Sequence, residues 1–184
     1  MPARAIAVRG DKSRGAGPYS AALRMLARRA YSVAELRRAL EKKFPGDPAI
    51  DNALARLRTL GYLDDKRFAE HYASSLARNK AFGRFRVRRE LKSKLVDYRH
   101  IEPAIEQAYD ETSERQLLQL TLDRKIRTLK LPITYAKLGS LCQSLLRRGF
   151  AADAIMKAVR ARPELRPVAG EVDLTELEGQ SGQG

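Results

Sequence analysis

Basic side chains concentrated near the middle of the chain are the residues best placed to do chemistry. The segment 84–96 reads RFRVRRELKSKLV and carries six basic side chains against one acid. In a helix, which turns by about 100° per residue, Val87, Leu91 and Leu95 share one face. Arg88, Arg89 and Lys92 are predicted on the opposite side, with Arg84 and Arg86 flanking them. The pattern therefore predicts a cationic ridge that attracts phosphate or carboxylate groups, with an ordinary solvated face as the alternative.

The composition of the whole chain favours an anionic partner. Its 184 residues include 36 Lys and Arg against 22 Asp and Glu, a net charge of +14, and 43% of them are hydrophobic. That hydrophobic share is enough to build a core, while the excess charge favours nucleic acid or an acidic protein as the partner. We expect the contacts to come from the ridge and from the helix before it, through Lys66, Arg67, Arg78, Lys80, Arg84, Arg86, Arg88, Arg89 and Lys92.

No set of residues predicts catalysis or metal binding. The two histidines, His71 and His100, have no companion cysteine at zinc spacing, and Cys142 lies among leucines, where a small buried hydrophobe is expected. Asp64 and Asp65 are adjacent at the start of a predicted helix, where either carboxylate can cap free amide groups. The sequence contains neither a phosphate-binding glycine loop nor a nucleophile elbow. We therefore expect a protein that is not an enzyme and that needs no cofactor or metal.

Nine helices must position these residues, and no segment alternates with the period of a strand. The apolar spacing predicts helices over about 19–30, 32–44, 48–61, 65–79, 84–96, 101–109, 113–129, 134–149 and 151–161. Ser32 and Ser113 each open a predicted capping box, in which the hydroxyl accepts from an amide three residues on. Asp47 is the predicted cap of the third helix, with Pro48 in its first turn. The fold class is therefore predicted to be all-α.

The helices fall into three trios with a similar apolar pattern. In the third helix of each trio, isoleucines mark the period: 51 residues separate Ile50 from Ile101, and 54 separate Ile101 from Ile155. A period of this size is typical of helical arrays in which neighbouring units cover each other's apolar faces. We predict an elongated, curved array of three helix-turn-helix-like repeats over residues 18–62, 63–110 and 111–162.

The two ends of the chain differ from the repeats in composition. Residues 1–17 mix arginines and lysine with glycines and are predicted to form a mobile basic arm. Residues 163–184 are rich in Asp, Glu and Gly and are predicted to form a disordered acidic tail. Since no apolar run approaches the ~20 residues of a membrane span, we expect a cytoplasmic protein with no membrane partner.

The central segment resembles a known family. The stretch DDKRFAEHYASSLAR, which begins at Asp64, and the glycine, arginine and Glu-Leu spacing after it are similar to the bacterial regulatory protein RecX family, as are the three tandem three-helix units. The likeness covers roughly residues 20–160. Its matching positions are Asp64, Asp65, Arg67, Phe68, Ala69, Gly83, Glu90 and Leu91. Several of these are most simply structural: Phe68, Ala69 and Leu91 as core residues and the aspartates as helix caps.

The resemblance implies a function that the composition alone does not give. Members of this family modulate the RecA recombinase, so it implies a non-enzymatic monomer that binds the RecA filament on DNA and restrains its ATPase, strand-exchange and co-protease activities in DNA repair and the SOS response. One position departs from the family pattern, because Leu95 stands where a glycine is usual. A leucine resists the left-handed backbone of such a turn, so we expect residues 97–100 to be either a longer helix or an altered loop.

Two other classes of protein fit the same residues. A basic helix-turn-helix protein would use the 84–96 helix to contact DNA phosphates, but Ser93 is its only side chain besides the cations of a type that often reads bases, so any DNA binding should be weak, salt-sensitive and nonspecific. An RNA-associated helical repeat would need matching base-reading side chains in each repeat. The three middle helices do not share such side chains.

Overall fold

Helices make up all of the regular secondary structure in residues 17–168, the part of the chain that the computed structural model describes. This confirms the all-α prediction. The helices are α1 (Pro18–Leu26), α2 (Val33–Lys43), α3 (Ala49–Thr59), α4 (Asp65–Lys80), α5 (Arg84–Ser93), α6 (Tyr98–Glu111), α7 (Glu114–Ile126), α8 (Tyr135–Arg147), α9 (Ala152–Arg160) and a short 3-10 helix (Pro163–Leu165). The predicted basic arm, up to residue 16, and the predicted acidic tail, from residue 169, lie outside the described residues.

The described residues group into two units by their contacts. The first unit holds residues 17–72 and 90–104, and the second holds residues 73–89 and 105–168. The division falls inside α4, α5 and α6, so the helices of the middle trio contribute residues to both units. The limits of the three repeats and the curvature of the array stay predictions.

The core of the first unit is formed where α1, α2 and α3 pack against one another. Leu36 and Leu40 of α2 are buried, as are Ile50, Leu54 and Leu57 of α3, and these are the positions that the apolar spacing predicts. Residues at i, i+3, i+4 and i+7 share a helix face, which is why this spacing marks the side that leaves water. Ala21 and Ala22 of α1 and Ala69 of α4 are also buried in this unit.

The core of the second unit is built mainly by α6 to α9. The largest fully buried side chains there are Ile105, Leu122, Ile133, Leu145, Phe150, Ile155 and Leu165. Most of them were expected from helical periodicity. Ile133 and Leu165 were not, because Ile133 lies in the loop before α8 and Leu165 lies beyond the predicted ninth helix.

Of the side-chain caps predicted at Ser32, Asp47 and Ser113, two are confirmed. Ser32 Oγ accepts a hydrogen bond from the Glu35 amide at 3.0 Å, and Asp47 Oδ1 accepts one from the Ala49 amide at 2.8 Å. The cap predicted at Ser113 is wrong, because its side chain forms no capping bond at the start of α7.

The turn after α5 differs from the prediction. The helix ends at Ser93 rather than near Val96, so Leu95 leaves the buried stripe that it was predicted to join and is 38% exposed. Its φ of 56° is left-handed, and the Leu95 and Val96 amides donate to the carbonyls of Lys92 and Leu91 in the pattern that closes many helices. The leucine therefore adopts the conformation that glycine would supply.

The sixth helix begins earlier than predicted. It starts at Tyr98 instead of Ile101, so the longer-helix alternative for residues 97–100 is the correct one. Asp97 caps it, its carboxylate accepting from the Arg99 amide at 3.1 Å. As a result Pro103 is the sixth residue of the helix rather than part of its first turn.

Candidate anion-binding interface

The two aspartates at the start of α4 cap different helices. Asp64 Oδ1 accepts from the Arg67 amide of its own helix at 3.0 Å, as predicted. Asp65 Oδ1 instead accepts from the Val33 amide, the first of α2, at 2.8 Å. Both carboxylates therefore satisfy amide groups that no helical carbonyl can reach, and both lie near the positive end of a helix dipole. Their observed role is the structural one of capping helices.

The start of α5 in the second unit repeats this arrangement. The first amide of α5, on Arg84, donates to Glu114 Oε1 at 2.8 Å, and Glu114 is the first residue of α7. In the first unit, Ser32 just before α2 donates its hydroxyl to the Lys94 carbonyl just after α5. In the second, the Gly83 amide just before α5 donates to the Arg148 carbonyl just after α8, at 2.8 Å. We call each such pair of bonds a helix-start clamp.

Gly83 has a spatial reason to be glycine. A Cβ at this position would lie 2.3 Å from the carbonyl oxygen of Gly149, and a Cβ on Gly149 would lie 2.2 Å from the Arg86 nitrogen. The Phe85 amide also donates to the Gly149 carbonyl, at 3.2 Å. The backbone at the start of α5 thus touches the backbone at the end of α8 directly, and this contact fixes α5 within the second unit.

Arg84 is the most constrained of the predicted contact residues. Its guanidinium pairs with Glu106 at 2.7 Å and with Glu114 at 3.4 Å, and it lies 5.0 Å from the centre of the Tyr109 ring. Burial raises the pKa of the Tyr109 phenol, and the nearby Glu114 carboxylate raises it further. The phenol therefore stays protonated and donates to the Phe82 carbonyl. These contacts make Arg84 mainly a stabilising residue.

The cations further along α5 differ in exposure, since Arg86 and Arg88 are half-buried and only Arg89 and Lys92 are exposed. Arg86 lies over the Phe82 ring at 5.3 Å and Arg88 over the Phe85 ring at 5.7 Å, while Arg89 is exposed. Phe85 itself is 59% exposed, as the helical pattern predicts for a residue opposite the buried Val87. These residues belong to the second unit, and the exposed Lys92 of the same helix belongs to the first.

The predicted cations of α4 lie in both units. Lys66 and Arg67, in its first turn, are exposed in the first unit. Arg78 and Lys80 are exposed at its end in the second unit, where Arg78 lies 3.6 Å from Glu111. The sequence places these two pairs more than two turns apart on one helix, and they do not share a unit.

The remaining family positions are internal. Phe68 stacks on Tyr72 with the ring centres 5.6 Å apart, Ala69 and Leu91 are buried, and Glu90 is half-buried. These contacts give the four residues a structural role in α4 and α5.

The surroundings of Cys142 disfavour a reactive thiol. Cys142 is half-buried, and burial raises the pKa of its thiol, which disfavours the reactive thiolate. Within residues 17–168, no three His, Cys, Asp or Glu side chains come close enough together to hold a metal ion. Over the same range, no helix is both long and apolar enough to cross a membrane.

Sequence reasoning missed one group of cations. Arg124 and Lys125 of α7 and Arg148 after α8 line a concavity of about 410 Å³ in the second unit, together with Arg78 and Lys80. We call these five side chains and the space between them the basic cleft. They come from three separate stretches of sequence, so a count of local charge could not have found them.

The fold and these contacts define a basic, all-helical protein in which the same clamp fixes α2 and α5. Comparison with known proteins identifies its family. Residues 19–57 match the family model described as RecX, first three-helix domain, and residues 64–105 match RecX, second three-helix domain. The chain belongs to the RecX family.

Individual relatives agree with this assignment. The Regulatory protein RecX of Chlorobaculum tepidum is 33% identical over 150 residues, which cover 82% of this chain and 91% of that protein. The Regulatory protein RecX of Legionella pneumophila strain Corby is 31% identical over 142 residues, covering 77% of this chain and 92% of the relative. The crystal structure of RecX from Lactobacillus salivarius has a TM-score of 0.64 at 21% identity and covers 78% of this chain and 93% of that one, a similarity of fold.

Proposed function

We propose that this protein is a non-enzymatic regulator that binds the RecA recombinase filament on DNA and restrains its ATPase, strand-exchange and co-protease activities. The observation that carries the proposal is its likeness to proteins named Regulatory protein RecX over most of its length. We further propose that it acts as a cytoplasmic monomer, in the control of DNA repair and the SOS response.

The exposed cations of α5 are the proposed docking surface. Arg89 and Lys92 stand one turn apart on the side of the helix away from the buried Val87 and Leu91. Leu91, a family position between them, is fully buried in core packing and cannot contact a partner. Electrostatic docking of this kind accelerates encounter and weakens as salt is added.

A charge-reversal variant tests this surface. Changing both Arg89 and Lys92 to glutamate should weaken binding to RecA filaments on single-stranded DNA by about tenfold or more, which corresponds to ~1.4 kcal/mol. The matched control changes the exposed Arg38 and Lys42 of α2 to glutamate, which alters the net charge equally. Circular dichroism should show the same helicity for both variants. Equal binding by the two variants would remove α5 from the proposed mechanism.

The second candidate is a basic nucleic-acid-binding protein of low sequence specificity. The observation that favours it is the basic cleft, whose lining includes none of the family positions. Excess free DNA added to the filament-binding assay separates the two functions. A plain DNA binder would be drawn away from the filament, whereas a filament-directed regulator would stay bound.

A further inference from the structure

We propose that the basic cleft is a binding site for the phosphodiester backbone of nucleic acid. This proposal rests on the part of the proposed function in which the protein acts on DNA. It assigns the contact with DNA to residues outside the α5 surface. The cleft lies wholly in the second unit, between the end of α4, the last turns of α7 and the end of α8. Its lining includes the five cations, Asn79 and two threonines, and no acidic side chain among the described residues.

The charge in the cleft is only partly neutralised by the fold. Arg148 donates to the Lys80 carbonyl at 2.7 Å, so it offsets the negative end of α4, and Arg78 pairs with Glu111. The end of each helix carries roughly half a negative charge. The five cations are offset by the Glu111 carboxylate and by the C-terminal ends of α4, α7 and α8, which leaves a net charge of roughly +2 to +3.

Three of the cations are available to a ligand. Within residues 17–168, the side chains of Lys80, Arg124 and Lys125 form no ion pair. They lie at or near the C-terminal ends of α4 and α7, where the helix fixes the backbone and the long side chains can extend toward a ligand. Lysine and arginine groups spaced around a polar concavity suit successive phosphates of one strand, since each can neutralise one phosphate without reading a base.

Acidic protein is the other macromolecule that cations attract, and the cleft suits it less well. Arginine recognises carboxylates best through paired, coplanar hydrogen bonds. The cleft arginine that is fixed in place, Arg148, already donates to backbone carbonyls. The ammonium groups of Lys80 and Lys125 act as compact point charges, a mode that serves successive phosphates along a strand.

The salt dependence of DNA binding tests the assignment without RecA. A triple variant, Lys80→Gln, Arg124→Gln and Lys125→Gln, is compared with Arg38→Gln, Lys42→Gln and Arg58→Gln, three exposed cations of the first unit. Affinity for fluorescein-labelled oligo-dT is measured by anisotropy between about 50 and about 200 mM salt. Each lost phosphate contact lowers the slope of log K against log salt by roughly 0.7 on a single strand, so the cleft variant should lose about 2.

The outcomes separate this proposal from its rivals. An unchanged slope, or an equal fall in the control, would overturn the phosphate site. So would a cleft variant that keeps its slope on oligo-dT but loses binding to poly-L-glutamate, because the cleft would then be a site for acidic protein. Failure of the proposed RecA function would appear only in the filament assays and would leave the oligo-dT slopes unaffected.

A second measurement needs no variant. When the unmodified protein is treated with an acetylating reagent, bound oligo-dT should protect Lys80 and Lys125 but not Lys42. If bound oligo-dT protects none of the three lysines from acetylation, or protects only Lys42, the assignment is contradicted.

Discussion

Replacing Gly83 with alanine should destabilise the second unit through a single backbone contact. The added Cβ would lie 2.3 Å from the Gly149 carbonyl oxygen, whereas ordinary contact begins at 3.4 Å, so the start of α5 and the end of α8 must separate by about 1 Å. The neighbouring hydrogen bonds, from Gly83 to Arg148 at 2.8 Å and from Phe85 to Gly149 at 3.2 Å, would then be lost. At roughly 1–2 kcal/mol each, this costs about 2–4 kcal/mol.

Urea unfolding followed by circular dichroism measures this cost. The control is Gly139→Ala within α8, where an added Cβ meets nothing within 4 Å. Alanine in a helix interior is favoured over glycine by about 0.5–1 kcal/mol, so the control should be stabilised while Gly83→Ala is destabilised. The φ of Gly83 is not left-handed, so strain at this residue cannot explain a loss. If the two variants unfold at the same urea concentration, the close approach does not hold α5 in place.

Two further predictions concern the first unit. Leu95 keeps a left-handed backbone at a cost of roughly 1 kcal/mol, so Leu95→Gly should be more stable than Leu95→Ala by about that amount in urea unfolding; a more stable alanine variant would show that the turn is not strained. Burial alone would raise the pKa of Glu35, but hydrogen bonds from Arg29 and Lys94 lower it below its ordinary value. The carboxylate therefore stabilises the fold above about pH 4.5, and this contribution is lost as the pH falls through the lowered pKa. Glu35→Gln should thus lower the free energy of unfolding by about 1 kcal/mol at neutral pH and leave it unchanged in strong acid. Glu41→Gln is the control. A loss of stability that persists at low pH would contradict the ion-pair explanation.

Periodicity and local chemistry predicted much of the fold. Apolar residues at helical spacing located the nine α-helices of residues 17–168, because each helix buries one face and that requirement acts residue by residue. Ser32 and Asp47 cap their helices as predicted because a cap depends on only the next two or three residues.

Long-range contacts account for what the sequence did not reveal. Asp65 reaches the start of α2, and Glu114 reaches the start of α5, across 32 and 30 residues respectively. No local pattern specifies such a pairing. The turn at Leu95 follows the same principle, since the packing around it overrides the preference of leucine against a left-handed backbone.

The candidate interface was predictable only in part. The α5 cations form one run, so their exposure could be anticipated from the helix pattern. The basic cleft combines Arg78 and Lys80 with Arg124, Lys125 and Arg148, and only the folded second unit brings them together. Arg84 was predicted to contact a partner, yet within the second unit it is held by Glu106, Glu114 and Tyr109.

RecA ATP hydrolysis on single-stranded DNA, measured as this protein is titrated in, tests the central claim most directly. We predict inhibition at amounts well below one copy per RecA monomer, and we predict that it persists when free DNA is in excess. Hydrolysis that is unaffected by the protein, or inhibition that excess DNA abolishes, would contradict a filament-directed regulator.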